Sequence, residues 1–194
     1  SWADRRPQVV PFDPPFSLVN GWTLRAFNAL YYHRHVRKDV QRLVDFDPFF
    51  YPLDKLLNWN RMYGRAGFQQ YQCVVPDENA RQTIRVVLER IARSGHGSFL
   101  AVLKRCGDLQ SPGLLSFPLS GVSLALDFAQ REEANTRLFR DLDAVIHEAG
   151  GRLYPAKDAH MSAEQFQRAY PAWSRVEELR DPVLMSRFWA RVTH

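Results

Sequence analysis

The sequence predicts an α+β protein: an antiparallel sheet with helices on one face, followed by a short helical segment. Three observations predict it. The stretch "QYQCVV" (70–75) alternates polar and apolar residues with the period of two that marks a half-buried strand. In "ENARQTIRVVLERIARSG", Ile84, Val87, Leu88 and Ile91 fall at i, i+3, i+4 and i+7, one stripe of a helix. The same two patterns, strand and then helix, return after residue 120. The resulting order is β-α-β-β-α-β, the split βαβ or ferredoxin-like arrangement, with both helices on one sheet face and the other face open.

Taken in order, the first 20 residues are proline-rich ("RPQVVPFDPPF") and read as an extended arm. The segment 22–43 reads as a helix in which Trp22, Phe27, Leu30 and Tyr31 are interrupted by basic residues. A second proline-marked stretch, "DFDPFFYPLDKLLNWNRMYGRAG", leads into the strand at 70–75. The helix that follows ends at Gly95. "GSFLAVLKR" (97–105) and "GVSLALDFA" (121–129) are the next strands, joined by a loop with Pro112, Gly113 and Pro118. "REEANTRLFRDLDAVIHEAGG" gives a helix with Leu138, Leu142, Val145 and Ile146 inward and Gly150–Gly151 as its stop. "GRLYPA" supplies a fourth, short strand. Ser162 and Gln165 form a capping box, short helices flank Pro171, and a last apolar-basic turn follows Asp181–Pro182. This divides the chain into an arm and basic aromatic helix (1–45), a sheet domain (46–153) and a C-terminal segment (154–194).

Composition bounds the function loosely. The 194 residues are 45% hydrophobic and 13% aromatic, enough for a real core. A net charge of +5 suits anionic partners. Cys73 and Cys106 are far apart and form no metal or redox spacing; a disulfide is open to them but not signalled, and a reducing compartment is the better reading. No apolar run approaches a membrane span and no signal peptide opens the chain, so a cytoplasmic protein, in contact with a membrane surface at most, is expected. The start "SWADRRPQVV", without an initiator methionine, reads as a piece of something longer. The six histidines include one close pair, His33 and His35, without a supporting Cys or carboxylate cluster, so no metal site is expected. G-x-G-x-x-G, P-loop, G-x-S-x-G and H-E-x-x-H are all missing from the sequence, so the chain lacks the usual equipment for holding a nucleotide.

Strand alternation puts Gln70 and Gln72 on one face and Tyr71 and Cys73 on the other. It likewise separates Ser123, Ala125 and Asp127 from Val122, Leu124, Leu126 and Phe128. Because the helices need the apolar face, Gln70, Gln72, Ser123 and Asp127 form a polar floor on the open one. A solvated sheet face is the competing reading. Lys157, in "YPAKDAHM", has the setting of a ligand donor, an anion clamp or a base, or of an ordinary surface lysine. "WNRMYG" (59–64) is either a recognition loop or an amphipathic turn. For 22–43, three readings stand: a core helix with a solvated charged face, which is the ordinary one; nucleic-acid contact, for which no RNP-like string appears on a strand; and attachment to an anionic membrane surface, for which its aromatics among Arg and Lys are suited.

The strings "FFYPLDKLLNWNRMYGRAGFQQYQCVVP", "SFLAVLKRCG", "LSFPLSGVSLALDF" and "GGRLYPAKDAHMSAEQFQRAYP" together resemble one family, and in the right order. It is the FAD-linked oxidoreductases of the vanillyl-alcohol-oxidase type, in the branch of the decaprenylphosphoryl-ribose 2′-oxidases and D-arabinono-1,4-lactone oxidases. The resemblance implies the substrate (cap) domain plus a C-terminal segment that returns to an N-terminal FAD-binding domain, with FAD bound mainly by that other domain. It implies a pocket in front of the flavin lined by Gln70, Gln72, Lys104, Ser123 and Asp127, with Asn60 and Tyr63 added from the preceding turn. Tyr154, Lys157 and Gln72 would meet the flavin edge, and Lys157 would serve the reacting hydroxyl. The branch carries a cysteine where this chain has Ala125, typically an asparagine at Ser123 and an aromatic residue at Cys106, so the pocket wall is altered. The chemistry implied is oxidation of a secondary hydroxyl of a sugar, sugar lactone or lipid-linked sugar, with hydride passing to flavin N5; nucleic acid is not an expected partner. The alternative from a different class is a stand-alone ferredoxin-like module that binds RNA or anionic lipid.

Overall fold

The computed structural model describes residues 8–34, 39–41, 43–46, 50–51, 56–158 and 160–194, without the side chain of Phe99. They fall into two units, one comprising Ser1–Gln69 with Ala129–Arg131 and the other Gln70–Phe128 with Glu132–His194.

In the first unit, β1 (Gln8–Val9) pairs in parallel with β2 (Leu56–Leu57). Helix α1 (Gly21–His33) starts at a capping box, where the Asn20 side chain accepts from the Trp22 and Thr23 amides and Thr23 Oγ1 accepts from Asn20 N–H. The Thr23 hydroxyl also donates to Leu18 C=O at 2.6 Å, fixing the entry of the chain. No residue of α1 is buried. The expected core helix is thus corrected: Trp22, Phe27, Leu30, Tyr31 and Tyr32 stand exposed where a core helix would bury its apolar residues. The expected continuation to residue 43 falls partly outside the described residues, as does His35, the second member of the histidine pair.

A 3₁₀ turn, Trp59–Tyr63, precedes Gly64, whose φ of +71° and contact with the Phe16 backbone leave no room for a Cβ. Tyr63 is 1% exposed and stacks on Phe68 at 4.7 Å, with Trp59 beside both rings. The amphipathic-turn reading of "WNRMYG" therefore describes the aromatics, and Arg61 ties the turn to the arm through Val10 C=O, Pro11 C=O and Asp13.

The second unit carries the predicted alternation. β3 (Phe68–Pro76), which enters it at Gln70, is followed by α2 (Asp77–Ser94), β4 (Ser98–Cys106), β5 (Gly121–Ala129), α3 (Glu132–Glu148) and β6 (Arg152–Leu153). The sheet order is β4-β5-β3-β6, so each helix connects strands that are not neighbours. β4 runs antiparallel to β5 with Lys104 opposite Ser123, and β3 antiparallel to β6 with Cys73 opposite Leu153. Asp77 and Glu78 suit the positive N-terminal end of α2, and Gly95 ends it at φ +71°. The C-terminal helices are α4 (Ala163–Ala169), with the expected Ser162–Gln165 box, α5 (Trp173–Leu179) and α6 (Arg187–Thr193).

One apolar cluster fills the space between sheet and helices. Tyr71, Cys73, Val75, Leu124, Leu126 and Phe128 come from the strands, and Val87, Ile91, Leu138, Phe139, Leu142 and Ile146 from α2 and α3. Phe166, Tyr170, Trp189 and Val192 extend it, so the inner faces of α4 and α6 belong to the same core. Both cysteines are free, and burial pushes the Cys73 thiol up to about 12. Leu142, fully buried, should cost about 2–5 kcal/mol when cut to alanine, whereas the same change at the exposed Leu103 should stay within about 0.5 kcal/mol. Urea unfolding of the two variants measures the contrast.

Candidate functional site

The side of the sheet away from α2 and α3 is built by the residues that alternate with the core. On β3, Tyr71 and Cys73 point into the core while Gln70 and Gln72 are half-buried on the other side. Gln70 Nε2 donates to Asp127 Oδ1 at 2.8 Å, and Gln72 Nε2 reaches Ser123 Oγ at 3.4 Å. The register then sets Lys104 beside Ser123, so Lys104, Ser123 and Gln72 form a row across three strands. A shorter row joins Ser98 to Asp127 and Gln70, with the Asp127 amide donating to Ser98 Oγ at 2.9 Å.

The expected solvent-facing floor is corrected in one respect. Ser123 is 4% and Asp127 2% exposed, so half of the polar set is already out of water. The reason is side-chain length: the glutamines on β3 reach across the shorter Ser123 and Asp127 on β5. Removing the carboxylate from water raises the pKa of Asp127 above its ordinary 3.8, and the Gln70 hydrogen bond and the Lys157 charge only partly oppose this. Asp127 Oδ2 is buried without a hydrogen-bond partner among the described residues. A buried acceptor left unmet is costly, which makes it a natural target for a ligand donor.

Lys157 arrives from the edge of the sheet. The Tyr154 amide donates to Gln72 C=O at 2.9 Å, which extends β6 alongside β3. A single 3₁₀ turn, Pro155–Lys157, then carries the lysine round, close enough for its charge to act on Asp127. Its ammonium has no ion-pair partner among the described residues. Tyr154 lies against Phe117 at 4.7 Å, half-buried. The structure therefore brings Gln70, Gln72, Lys104, Ser123 and Asp127 onto one side of one sheet, with the Lys157 charge acting on Asp127 and Tyr154 at the edge beside β3. Asn60 and Tyr63 belong to the first unit, where Asn60 is exposed on its turn and Tyr63 has the position of a packing residue, with 1% of its surface open to a ligand.

A second polar network, which sequence reasoning missed, holds the lysine turn from behind. Asp158, next to Lys157, accepts from the His160 and Met161 amides at 2.9 and 2.8 Å and pairs with Arg191 of α6 at 2.7 Å. His160 Nε2 lies 2.9 Å from Asp143 of α3, whose other oxygen accepts from the Tyr71 hydroxyl at 3.0 Å. Tyr71 thus joins β3 to the helix layer, and burial with the adjacent Asp143 charge pushes its phenol well above the ordinary range. One signal was legible: Asp143 lies four residues beyond the buried Phe139, on the inward stripe of α3, where an unpaired carboxylate is excluded. A concavity of about 660 Å³ lies elsewhere, lined by Arg90, Arg93 and Arg137 of the helix layer. Two of these arginines already pair with Asp141 and Glu89, so it does not replace the sheet face as the candidate.

Two expectations follow. The folded state disfavours ionised Asp127, so it binds that proton more tightly than the unfolded chain, and stability falls as pH rises from about 3.8 through the raised folded value. Asp127→Asn should lose that fall and be at least as stable as the parent at neutral pH, as read from urea midpoints across pH. Asp143→Ala strands the Tyr71 hydroxyl and the His160 ring and should cost about 1–3 kcal/mol or more, whereas a cost below 0.5 kcal/mol, on the order of a surface change, would show the network to be idle.

No family model matches the chain. Over 174 residues, 87% of its length, it is 40% identical to decaprenylphosphoryl-beta-D-ribose oxidase of Mycolicibacterium smegmatis, of which the alignment covers 36%. It is also 33% identical over 129 residues, 66% of its length, to an uncharacterized protein in the mprA 5′ region of Streptomyces coelicolor, covering 35% of that protein. The chain thus spans about a third of the length of these relatives. Along most of its sequence, polar floor and lysine turn together, this chain is similar to one part of a decaprenylphosphoryl-ribose oxidase.

Proposed function

We propose that this chain is the substrate-facing part of an FAD-dependent oxidoreductase that oxidises a secondary hydroxyl of a sugar, in the form of a sugar lactone or a lipid-linked pentose. The observation that carries the reading is the polar row itself: amides, a hydroxyl and a buried carboxyl share one sheet face, beside an ammonium without an ion-pair partner among the described residues, within a chain 40% identical to an oxidase. A solvated sheet face has no need to withdraw Ser123 and Asp127 from water.

The donor set suits the edge of a flavin ring, which presents both acceptors and an N–H. Asp127 Oδ2, unmet among the described residues, is an acceptor for a donor from outside the sheet. Gln72, Tyr154 and Lys157 would hold the ring edge, and a further domain the rest of FAD. When bound, FAD supplies the two-electron acceptor for the oxidation. Lys157 positions the reacting hydroxyl by hydrogen bonding, or takes its proton as the carbon is oxidised. Gln70 and Gln72 orient the sugar, each fixed by its partner on β5 rather than free to rotate. Lys104, exposed at the end of the row, offers a cation to an anionic group on the substrate. Ala125, half-buried between Ser123 and Asp127, sets the wall on which substrates of different width are sorted.

The test is a chimera in which this chain replaces the matching part of the M. smegmatis oxidase, assayed with the substrate of that enzyme. Lys157→Ala should lower kcat about 100-fold or more while flavin content is retained. Turnover within twofold of the parent chimera, on the order of assay scatter, would remove Lys157 from the reaction.

A further inference from the structure

Helix α1 has no place in the site just described, and among the described residues it is the one long helix that buries nothing. Trp22 is 81%, Leu30 76% and Tyr32 79% exposed, with Phe27 and Tyr31 more than half so. At 100° per residue, Trp22, Leu24, Ala26, Phe27, Ala29, Leu30 and Tyr31 cover more than half of the circumference. Asn28, Tyr32 and Arg25 occupy the remaining arc. A helix with so wide an apolar arc is ordinarily covered. It is nevertheless well formed on its own, because its capping box and the Thr23–Leu18 bond supply local stability without a tertiary partner.

The charge pattern distinguishes between coverings. From Pro14 to Lys38 the sequence holds no acidic residue, while Arg25, Arg34, Arg37 and Lys38 are cationic and His33 and His35 titratable. The Arg34 guanidinium lies 4.9 Å above the Tyr31 ring and that of Arg25 6.0 Å from Trp22, so each of these cations stands beside an aromatic of the apolar arc. A protein partner would have to bury these charges among the rings, and charged residues are depleted from interface cores. A bilayer surface satisfies both at once, with aromatic rings at the level of the headgroups and cations at the phosphates. At 13 residues α1 is about 20 Å long, short of the ~30 Å hydrocarbon thickness, so it would lie in the interface plane.

We propose that α1 docks the protein onto an anionic lipid surface, with Trp22, Phe27, Leu30 and Tyr31 inserted and Arg25 and Arg34 at the lipid phosphates. The proposal concerns the first unit and does not rest on the oxidoreductase reading. It is tested by co-sedimentation of the 194-residue chain with vesicles of equal parts phosphatidylcholine and phosphatidylglycerol, and with phosphatidylcholine alone. Sedimentation with the anionic vesicles only is expected, weakened by added salt and by about fivefold for Arg25→Gln. Trp22→Ser/Phe27→Ser/Tyr31→Ser should abolish it while the far-ultraviolet circular dichroism stays that of the parent, since the three side chains are exposed. Absence of binding to the anionic vesicles would overturn the proposal, as would binding that the triple variant retains. A dimer in sedimentation velocity that the triple variant dissolves, without vesicle binding by the parent, would assign the face to a second copy and overturn it equally.

Discussion

The second unit depends on how closely β3 is approached by its two neighbours. A Cβ at Gly121, where β5 begins, would stand 2.0 Å from the Val75 carbonyl oxygen, and one at Gly151, just before β6, 2.6 Å from that of Val74. Both contacts are closer than any side chain tolerates, so glycine at each position lets a strand settle against β3. That placement matters because β3 serves two faces. Its buried residues, Tyr71, Cys73 and Val75, meet the helices, and its glutamines meet Ser123 and Asp127. A shift of one residue in this pairing would exchange the two sets and lose core and polar row together.

The two faces are also joined chemically. From Tyr71, polar contacts run through Asp143 to His160, and the His160 backbone returns to Asp158, the residue after Lys157. Arg191 closes the arrangement from α6. The turn that carries the lysine is therefore held by the interior of the protein rather than by its surface. Such support is what the role proposed for Lys157 would require, since a reacting group must be held within a fraction of an ångström. The lysine itself is left free of ion pairs among the described residues, and the carboxyl it influences is kept partly unsatisfied.

The first unit follows a different logic. Its packing is aromatic and local, with Trp59, Tyr63 and Phe68 in contact and Arg61 tying the turn back to the arm. Its helix presents rings and cations outward. Its cap and aromatic stack join residues near in sequence, while Arg61 reaches Val10 across 51 positions, much as Gln70 reaches Asp127 across 57 in the second unit.

Much of this was legible because it obeys a period. The twofold alternation of 70–75 and 121–129 separated core from polar residues correctly, since a strand cannot turn neighbouring side chains to one face. The stripes of α2 and α3, the glycine stops and the Ser162 box were legible for the same local reason. Spacing alone did not link Lys157 to the polar floor, where its charge acts on Asp127. Burial of Ser123 and Asp127 was not legible, because it depends on which longer side chain lies across them from the next strand. Nor was the Asp143–His160–Asp158 support as a whole, because only folding brings the 158–160 segment against Asp143 of α3. The exposure of α1 ran against its composition: apolar content predicts burial only where a partner surface exists to bury against. The sequence by itself therefore determined the elements, their order and the two faces of the sheet, all set by local periodicity and backbone sterics. Only the tertiary structure decided which polar groups lose their water, what anchors the lysine turn and which apolar helix is left uncovered, because each of these depends on groups brought together from distant parts of the chain.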